Sequence, residues 1–269
     1  MPKPAQVSSE ETRRALEGNR IAFFSRMAGT RGGRLESDSA GIRMTSGVPF
    51  PIFNWVLRTS LPESELDDWI QSNRAHFRTA GVPFYWAVGP ADRPTRLPER
   101  LRELGFEAAW SPAMAVTLED LPPVLNPDRL RIVPVTSSEE LRTFARTLNS
   151  GDFRAPPEVE RAIPDLLRPS LSASGPEPNL RCFVGYLDGV AVATSARFLS
   201  DGVVGIYGVA TVSEARGRGF GSSMTLAALR DGQSLGYDVG VLIATRLGEP
   251  VYRRLGFQEL YRVGEFRAP

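Results

Sequence analysis

The sequence predicts an α/β protein whose centre is a mixed β-sheet. In the second half, apolar runs of strand length and segments with helical spacing follow one another in the order β-α-α-β-β-β-α-β-α-β. Two Asp-Gly pairs, Asp188-Gly189 and Asp201-Gly202, stand between consecutive strand segments and predict tight hairpin turns. Hairpins combined with helical connections are typical of a sheet that contains both antiparallel and parallel neighbours.

The composition is that of an ordinary globular protein with one or two domains. The chain has 269 residues, of which 42% are hydrophobic and 23% are charged, and domains usually contain roughly 100–200 residues. The net charge of +1 gives no sign of a general nucleic-acid or anionic-membrane binder. Cys182 is the only cysteine and His76 the only histidine of the sequence. An internal disulfide, a cysteine-cluster metal site and a paired-histidine zinc site are therefore excluded. We therefore expect no metal.

Neither a membrane span nor a targeting segment is predicted. No run approaches the roughly 18 apolar residues that read as a membrane span. The N-terminal residues lack the apolar core of a signal peptide, and Glu10 and Glu11 disfavour a transit peptide. The expected location is the cytoplasm.

The first half is predicted to alternate between helices and short strands. A capping box from Ser8 to Glu11 predicts a helix that ends near Ala28, before the glycines of residues 29–33. Further helices are predicted at 61–80 and 98–104, and strands at 42–45, 53–57, 83–88 and 113–118.

A Pro- and Asp-rich run at residues 118–130 has the composition of a linker. It predicts one domain at 1–121, a linker at 122–128 and a second domain at 129–269. In the second domain, strands are predicted at 130–135, 182–187, 190–199, 203–211 and 239–244, and helices at 138–148, 157–167, 222–235 and 250–255, before a final strand.

A short internal repeat links the two halves. Residues 101–106 (LRELGF) align with residues 252–257 (YRRLGF), and a proline precedes each segment. The repeat indicates two copies of one unit, the first of them degenerate. The alternative is chance, because many helices end at a glycine.

The strongest chemical signal is a glycine-rich segment between a strand and a helix, residues 209–222 (VATVSEARGRGFGS). Glycines let the backbone approach a ligand closely, and the first amides of a helix lack internal partners. Such amides bind anions together with the helix dipole, and the guanidinium groups of Arg216 and Arg218 suit phosphate oxygens. The segment therefore predicts a ligand that carries a phosphate or pyrophosphate.

Two nucleotide-binding motifs are disfavoured by the spacing. A P-loop needs Gly-Lys-Ser/Thr after its glycines, and this segment has none. A dinucleotide fold needs G-x-G-x-x-G directly after the strand, whereas Gly217 and Gly219 stand beyond a longer loop and are followed by Ser222. A nucleotide-dependent enzyme, the alternative interpretation of the segment, would bind ATP or NAD.

The pattern Arg216-x-x-Gly219-x-Gly221 resembles the pyrophosphate loop of the GNAT acyltransferase superfamily. The run EPVYRRLGF at residues 249–257 is similar to that family's C-terminal signature, and one helix plus one strand separates the two motifs. The resemblance covers residues 130–267. It implies a mixed, mostly antiparallel GNAT-type sheet flanked by helices, with two GNAT-like domains once the repeat is included, and an N-acetyltransferase that uses acetyl-CoA as co-substrate.

The resemblance also implies roles for individual residues. The pantetheine arm would bond to the strand, and the pyrophosphate would lie in the loop, so the implied cofactor-binding residues are Val209, Ala210, Thr211, Arg216, Gly217, Arg218, Gly219, Phe220, Gly221, Ser222 and Thr245. The strands at 203–211 and 239–244 would separate to admit the thioester, with Tyr252 beside the sulfur. The segment 149–160 commonly shapes the acceptor site in this family, which makes Asp152 and Phe153 implied acceptor residues. Tyr207, the only titratable side chain of the strand 203–211, is the third candidate.

The implied reaction is direct attack of a neutral amine on the thioester. A backbone N–H near Val209 or Ala210 would stabilise the oxyanion, and Tyr252 would return a proton to the leaving thiolate. A tyrosine pKa of about 10 against a thiol pKa of about 8.5 makes this transfer uphill by about 2 kcal/mol. That amount is small beside a chemical barrier.

The sequence departs from the family pattern at several positions. Thr245 stands where an Asn is usual, and Gly248 replaces a usual Ala. The strand 203–211 has no carboxylate to act as general base. A non-catalytic acyl-CoA sensor or interaction module is therefore the alternative function. The acidic residues of segment 149–160 would either attract a cationic amine or form a solvated loop.

The first half raises two further choices. His76 is either a base or a structural histidine, and Leu101 occupies the place of Tyr252 in the repeat. Aromatic residues line either a pocket or the core, and they are Phe50, Phe53, Trp55, Phe84, Tyr85 and Trp86. The expected partner is a small-molecule amine, without nucleic acid or membrane, and the expected state is a monomer or homodimer.

Overall fold

The computed structural model describes residues 7–29, 32–123, 130–171 and 179–269, which form two compact units. The C-terminal unit comprises Met1–Arg20 and Ala113–Leu260, and the N-terminal unit comprises Ile21–Pro112 and Tyr261–Pro269. These limits differ from the predicted domains at both ends of the chain. Hydrophobic periodicity identifies an element but does not say which core it joins. The predicted linker at 122–128 lies mostly outside the described residues.

The N-terminal unit contains a sheet with both antiparallel and parallel pairs. Its elements are the end of α1 (Glu10–Met27), β1 (Arg34–Ser37), β2 (Ile42–Thr45), β3 (Asn54–Leu57), α2 (Leu66–Ala80), β4 (Tyr85–Val88), α3 (Leu97–Glu103), the start of β5 (Glu107–Thr117) and the end of β11 (Gln258–Arg267). The strand order is β1-β2-β3-β4-β11, in which the β3–β4 pair is parallel and the others are antiparallel.

The aromatic residues of this unit mostly belong to its core. Trp55 and Trp86 are fully buried, and each indole N–H has a partner, the carbonyl of Ile52 at 2.6 Å and the hydroxyl of Thr59 at 2.9 Å. Phe53 and Phe84 are also buried, whereas Phe50 and Tyr85 are half-buried. Aromatic rings with satisfied polar atoms stabilise a core through the large area that they remove from water.

The C-terminal unit likewise contains a sheet with both antiparallel and parallel pairs. Its elements are the start of α1, the end of β5, β6 (Arg131–Pro134), α4 (Ser138–Leu148), α5 (Pro157–Leu171), β7 (Leu180–Leu187), β8 (Val190–Ser200), β9 (Val203–Thr211), α6 (Phe220–Ser234), β10 (Val239–Ile243), α7 (Glu249–Arg254) and the start of β11. The strand order is β5-β10-β9-β8-β7-β6, and only the β9–β10 pair is parallel. The sheet is thus mixed and mostly antiparallel, as the sequence predicts.

The two units share one sequence of elements, which extends the short repeat found in the sequence. In each, a strand is followed by a long helix, a parallel neighbouring strand, a short helix and a final long strand: β3-α2-β4-α3-β5 and β9-α6-β10-α7-β11. The short helices end alike. The amide of Phe106 donates to the carbonyl of Leu101 at 3.0 Å, and the amide of Phe257 donates to the carbonyl of Tyr252 at 3.1 Å.

Two local predictions need correction. The first helix is capped by Ser9, whose hydroxyl accepts from the amide of Thr12 at 3.1 Å, rather than by a box from Ser8 to Glu11. This follows because the helix begins at Glu10, which makes Ser9 the residue whose side chain faces the free amides. Strand β1 was not predicted, since its residues are mostly exposed and show no apolar alternation.

No helix in the described part of the chain is long and apolar enough to cross a membrane.

Candidate acyl-CoA site

The central feature of the C-terminal unit is a gap between its two parallel strands. Strands β9 and β10 pair at only two positions, Val204 with Gly240 and Gly205 with Val241. Beyond Gly205, β9 continues for six residues to Thr211. Residues 203–206 are buried, whereas residues 207–209 are half-exposed, so accessibility begins where the pairing ends. The main chain of β9 is therefore available to an extended ligand in this gap.

A β-bulge changes the direction of β9 inside the gap. Gly208 and Val209 lie between the pairs Ala196–Tyr207 and Thr194–Ala210, opposite the single residue Ser195. Gly208 has a φ of +56°, which a glycine adopts without strain. The hydroxyl of Thr194 donates to the Gly208 carbonyl at 2.8 Å and fixes the bulge. Bulges re-aim backbone and side chains beside active sites.

Next along the chain is an exposed glycine turn that ends at the start of α6. Residues 216–219 are exposed, and Gly217 and Gly219 have φ values of +77° and +80°. The first helical hydrogen bond runs from the Ser223 amide to the Gly219 carbonyl at 3.1 Å, so the amides of residues 220–222 precede it. The side chain of Phe220 is buried in the core, and its amide is one of the three that precede this first helical hydrogen bond.

The start of α6 also differs in charge from the other described helices. Its first turn has no acidic residue, whereas α1 to α5 and α7 each have at least one there. An acidic side chain at a helix N-terminus neutralises the positive end of the dipole. Because the first turn of α6 has no acidic residue, the positive end of its dipole can attract an external anion.

Arg216 connects the glycine turn to the segment that follows α4. Its guanidinium donates to the carbonyl of Thr211 at 3.2 Å and to that of Gly151 at 2.6 Å. The sequence predicted Arg216 as a phosphate contact. In the structure, Arg216 also connects the end of β9 to the segment that contains Asp152.

That segment is a π-helical turn, Asn149–Phe153, rather than a loop. The Asn149 side chain holds it, since its amide N–H donates to the Ala155 carbonyl at 3.2 Å and to Glu160 at 2.9 Å, and its oxygen accepts from the Ala155 amide at 2.8 Å. Gly151 is buried against β9, where an added Cβ would be 3.0 Å from the Ala210 Cβ. Asp152 and Phe153 are thus held beside the open end of β9.

Tyr252 lies on α7 with its ring in a tight space. The residue is 8% exposed, and its ring makes an edge contact with Phe257 at 5.7 Å between centroids. An added Cβ on Gly248 would be only 2.7 Å from the Tyr252 Cε2 atom. The glycine that replaces the family's usual alanine therefore gives this ring its place. Thr245 caps the same helix, since its hydroxyl accepts from the Gly248 amide at 3.2 Å.

Electrostatics connects Asp152, Arg216 and Tyr252. Burial raises the pKa of Tyr252, and the nearby Asp152 carboxylate raises it further. Desolvation likewise raises the pKa of Asp152, while the Arg216 guanidinium opposes that shift. Asp152 is nevertheless accessible to water.

The remaining candidate, Tyr207, precedes the bulge and is half-buried. Its hydroxyl donates to the side-chain oxygen of Asn19 on α1 at 2.8 Å. Sequence reasoning missed Asn19, because nothing in the pattern of α1 places it against a strand 188 residues away. The Gly208 bulge was also missed, although a glycine inside a strand pattern is a recognised signal for one.

His76 belongs to the N-terminal unit and has a structural environment there. Its Nε2 is 2.9 Å from the Thr45 hydroxyl, and its Nδ1 is 3.5 Å from the guanidinium of Arg43. Arg43 is itself bonded to Glu36 at 2.8 Å and to Asn73 at 2.9 Å. Burial lowers the pKa of His76, and the Arg43 charge lowers it further.

Comparison with known proteins relates this part of the chain to one family. Residues 144–257 match the sequence model of the acetyltransferase (GNAT) family, a range that includes the π-helical turn, the glycine turn and Tyr252. No curated protein matches the chain.

Solved structures resemble the fold along nearly the whole chain. A GCN5-related N-acetyltransferase from Kribbella flavida is 20% identical, with a TM-score of 0.68 over 94% of this chain and 95% of that one. Another from Sphaerobacter thermophilus is 17% identical, with a TM-score of 0.58 over 87% and 75%. A tandem GNAT protein from the clavulanic acid biosynthesis pathway is 12% identical, with a TM-score of 0.55 over 96% of each chain.

At these identities the structures show the fold, and the family match adds the enzyme class. The fold of this family supports acyl transfer from acetyl-CoA. Residues 144–257 are therefore similar to the GNAT family of acetyltransferases, and the chain as a whole shares the fold of GCN5-related N-acetyltransferases.

Proposed function

We propose that this protein is an N-acetyltransferase that moves the acetyl group of acetyl-CoA to a primary amine, on a small molecule or an amino group, by direct attack. The observation that carries the proposal is the acid-free, glycine-rich start of α6 next to the open end of β9. The first feature suits a pyrophosphate, and the second suits an extended amide-containing arm that bonds to a strand edge.

Acetyl-CoA would extend from the start of α6, where its pyrophosphate would bind, to the open end of β9, where its pantetheine arm would bind. The pyrophosphate would contact residues 216–222 through the amides that start α6, with charge from Arg216 and Arg218. The pantetheine amides would bond to residues 209–211. Thr245 would contact the cofactor only at its edge, because its hydroxyl already caps α7.

The chemistry would take place at the bulge. An amide N–H of Val209 or Ala210 would stabilise the oxyanion that forms when the amine attacks the thioester carbonyl. The carbon–sulfur bond then breaks, the thiolate takes the proton of Tyr252, and the nitrogen of the new amide gives its surplus proton to water, from which Tyr252 is protonated again. The raised pKa of Tyr252 keeps this proton in place at neutral pH but makes the transfer more uphill than the sequence indicated.

The acceptor would approach from the side of the π-helical turn. Asp152 supplies a carboxylate there, with Phe153 and Tyr207 as further acceptor contacts. A second, cationic group of the acceptor, separate from the neutral amine that attacks, would bind at Asp152 and offset the negative charge that raises the pKa of Tyr252. Binding of the acceptor would thereby make Tyr252 a better acid for the thiolate.

The test is calorimetric titration with acetyl-CoA of the wild type, Gly221→Glu and Gly221→Gln. Gly221 has helical backbone, and an added Cβ would be 3.9 Å from the Thr211 hydroxyl, its nearest neighbour, so both variants are expected to fold. The two side chains match in size and differ in charge. A negative charge beside the pyrophosphate should weaken binding about 30- to 100-fold relative to Gln, which corresponds to roughly 2–3 kcal/mol.

The same proteins are then assayed for thiol release with a panel of primary amines. Absence of acetyl-CoA binding by the folded wild type would overturn the proposal. Binding without release of thiol with any amine would favour the alternative, an acyl-CoA sensor or interaction module. A cytoplasmic location and a monomeric or homodimeric state stay predictions.

A further inference from the structure

Tyr207 occupies a particular place on β9. It is the last residue before the bulge, and it begins the half-exposed stretch of the strand where β10 has already separated. Its phenol oxygen donates its proton to the side-chain oxygen of Asn19 at 2.8 Å. Tyr207 therefore borders the part of β9 that the separation of β10 leaves accessible.

The orientation of the Asn19 amide is fixed by two backbone carbonyls. Asn19 is fully buried, and its Nδ2 donates to the carbonyl of Phe198 at 3.1 Å and to that of Ser200 at 3.3 Å. Carbonyl oxygens only accept hydrogen bonds, so the NH₂ group has to face them. The amide oxygen is then left to face the phenol of Tyr207.

The backbone of β9 is shaped to fit this pair. Gly205 lies beneath both side chains, where an added Cβ would overlap the Asn19 oxygen and would be 2.7 Å from the Tyr207 Cε2 atom. A side chain at position 205 would therefore displace one or the other. The contact of Asn19 on α1 with Tyr207 on β9 therefore depends on the absence of a side chain at position 205.

The fixed amide determines what Tyr207 offers to a ligand. A phenol has one proton, and here that proton is directed to Asn19. Toward any further group the oxygen presents lone pairs. A group bound against it must therefore donate a hydrogen bond, as an amine or ammonium does and as an ester, ketone or ether does not.

We propose that Tyr207 accepts a hydrogen bond from the N–H of the acceptor amine, and that Asn19 is the positioning residue that makes it an acceptor. The inference rests on the proposed function and narrows its acceptor to molecules that place an N–H donor beside the bulge. It also gives the N-terminal helix α1 a role in substrate selection.

The experiment compares steady-state kinetics of the wild type, Tyr207→Phe and a matched control, Tyr186→Phe. The control removes a hydroxyl from another half-buried tyrosine of the same sheet, on β7, whose ring contacts Arg131. The probes are acetyl-CoA and a panel of alkylamines, diamines, amino acids and aminosugars. Each variant is assayed with the best of these amines.

Tyr207→Phe should raise the KM for the amine about 3- to 10-fold, the loss expected for one hydrogen bond to substrate. The KM for acetyl-CoA and the calorimetric Kd for acetyl-CoA should stay at wild-type values, and Tyr186→Phe should change none of these quantities. An unchanged amine KM in Tyr207→Phe would overturn the inference while leaving the acetyltransferase proposal intact. Loss of acetyl-CoA binding by the wild type would instead overturn the proposed function.

Asn19→Leu tests the positioning role. Adding it to Tyr207→Phe should leave the amine KM where Tyr207→Phe alone puts it, because Asn19 acts through the phenol. Independent, additive effects of the two changes would overturn that role. Should Asn19→Leu not fold, because two buried carbonyls lose their donor, Tyr207→Phe alone decides the inference. A wild type that binds acetyl-CoA but acetylates no amine in the panel would overturn the inference together with the proposed reaction.

Discussion

The parallel strand pairs of the two units, β3–β4 and β9–β10, have the same topology but differ in the chain that follows the paired residues. In the C-terminal unit, β9 and β10 separate after Gly205 and leave a gap. In the N-terminal unit, the chain beyond β3 and β4 stays joined: the Thr59 amide donates to Asp92 at 2.6 Å, and the Arg93 amide donates to the Thr59 carbonyl at 2.9 Å. An isolated parallel bridge between Ser60 and Arg93 continues the closure. An extended ligand arm has no strand edge to bond to there.

The helices that follow these strands differ in charge at their starts. The first turn of α6 has no acidic residue. The first turn of α2 contains Asp67 and Asp68, and Glu63 and Glu65 precede it. Carboxylates stabilise the start of α2 through the helix dipole, and the same charges repel a phosphate. One helix start is suited to bind an anion, and the other is stabilised by the acids of its own chain.

The short helices differ at two matched positions. In α7, Gly248 leaves space that the ring of Tyr252 fills. In the repeat the corresponding residues are Leu97 and Leu101, both fully buried in the apolar core. The comparison teaches that one order of elements can enclose either an apolar core or an open pair of strands. The gap, the acid-free helix start and Tyr252 are the features that distinguish the C-terminal unit.

The largest expected effect is that of Tyr252→Phe on turnover. Removal of a general acid should lower kcat about 100-fold or more, while the calorimetric Kd for acetyl-CoA stays unchanged because the hydroxyl does not hold the cofactor. Tyr237→Phe, at a half-buried tyrosine after α6, is the control. A kcat within threefold of wild type would make Tyr252 a packing residue like Leu101 and end the contrast between the two helices.

Asp92→Ala should open the closed pair of the N-terminal unit and destabilise it. The buried carboxylate accepts from the amides of buried Thr59 and half-buried Gly89, each at 2.6 Å, and the loss of both bonds should cost roughly 2–4 kcal/mol of unfolding free energy. Asp38 bonds two amides in the same manner on an exposed turn, so Asp38→Ala should cost less than about 1 kcal/mol. Urea unfolding measures both. Equal losses would show that Asp92 does not hold the strands together.

Gly248→Ala restores the residue usual in the family and should lower kcat about tenfold, equivalent to about 1.4 kcal/mol. The added Cβ would displace the Tyr252 ring, whereas the backbone φ of −80° accepts alanine without strain. Gly89→Ala is the control, because its Cβ would meet Asp92 at an ordinary 3.6 Å. Reduced kcat with retained thermal stability is the expected result. Wild-type kcat would show that the ring does not need this space.

The smallest expected effect concerns His76 and stability at mildly acidic pH. Its pKa is lowered in the folded protein by burial and by Arg43, so the unfolded chain binds the proton more readily. The stability contributed by neutral His76 is therefore present above its ordinary pKa of about 6.5 and is lost as the pH falls through 6.5 toward the folded value. Between pH 7 and pH 5, the Tm of wild type should fall more than that of His76→Gln. If the Tm of both proteins fell by the same amount between pH 7 and pH 5, the lowered pKa of His76 would be contradicted.

The sequence identified most of the elements because their signals are local. The strand at residues 203–211 was predicted at its observed limits, since Asp201-Gly202 and the loop before Arg216 bound an apolar run. The helix at 138–148 followed from a capping signal that the structure contains as Ser137 and Glu140. β1 was missed because an exposed edge strand has no apolar pattern, and the cap of α1 was placed one residue early.

The sequence by itself indicated the resemblance to the GNAT family, the phosphate-suited start of α6 and the repeat, because each depends on neighbours in the chain. The tertiary structure alone decided that β9 and β10 separate while the corresponding pair is closed, that Asp152 and Tyr252 influence one another across about 100 residues of chain, and that Asn19 orients Tyr207. These are contacts between distant segments, which periodicity and local propensity do not specify. They form only when side chains from separate elements pack into one core.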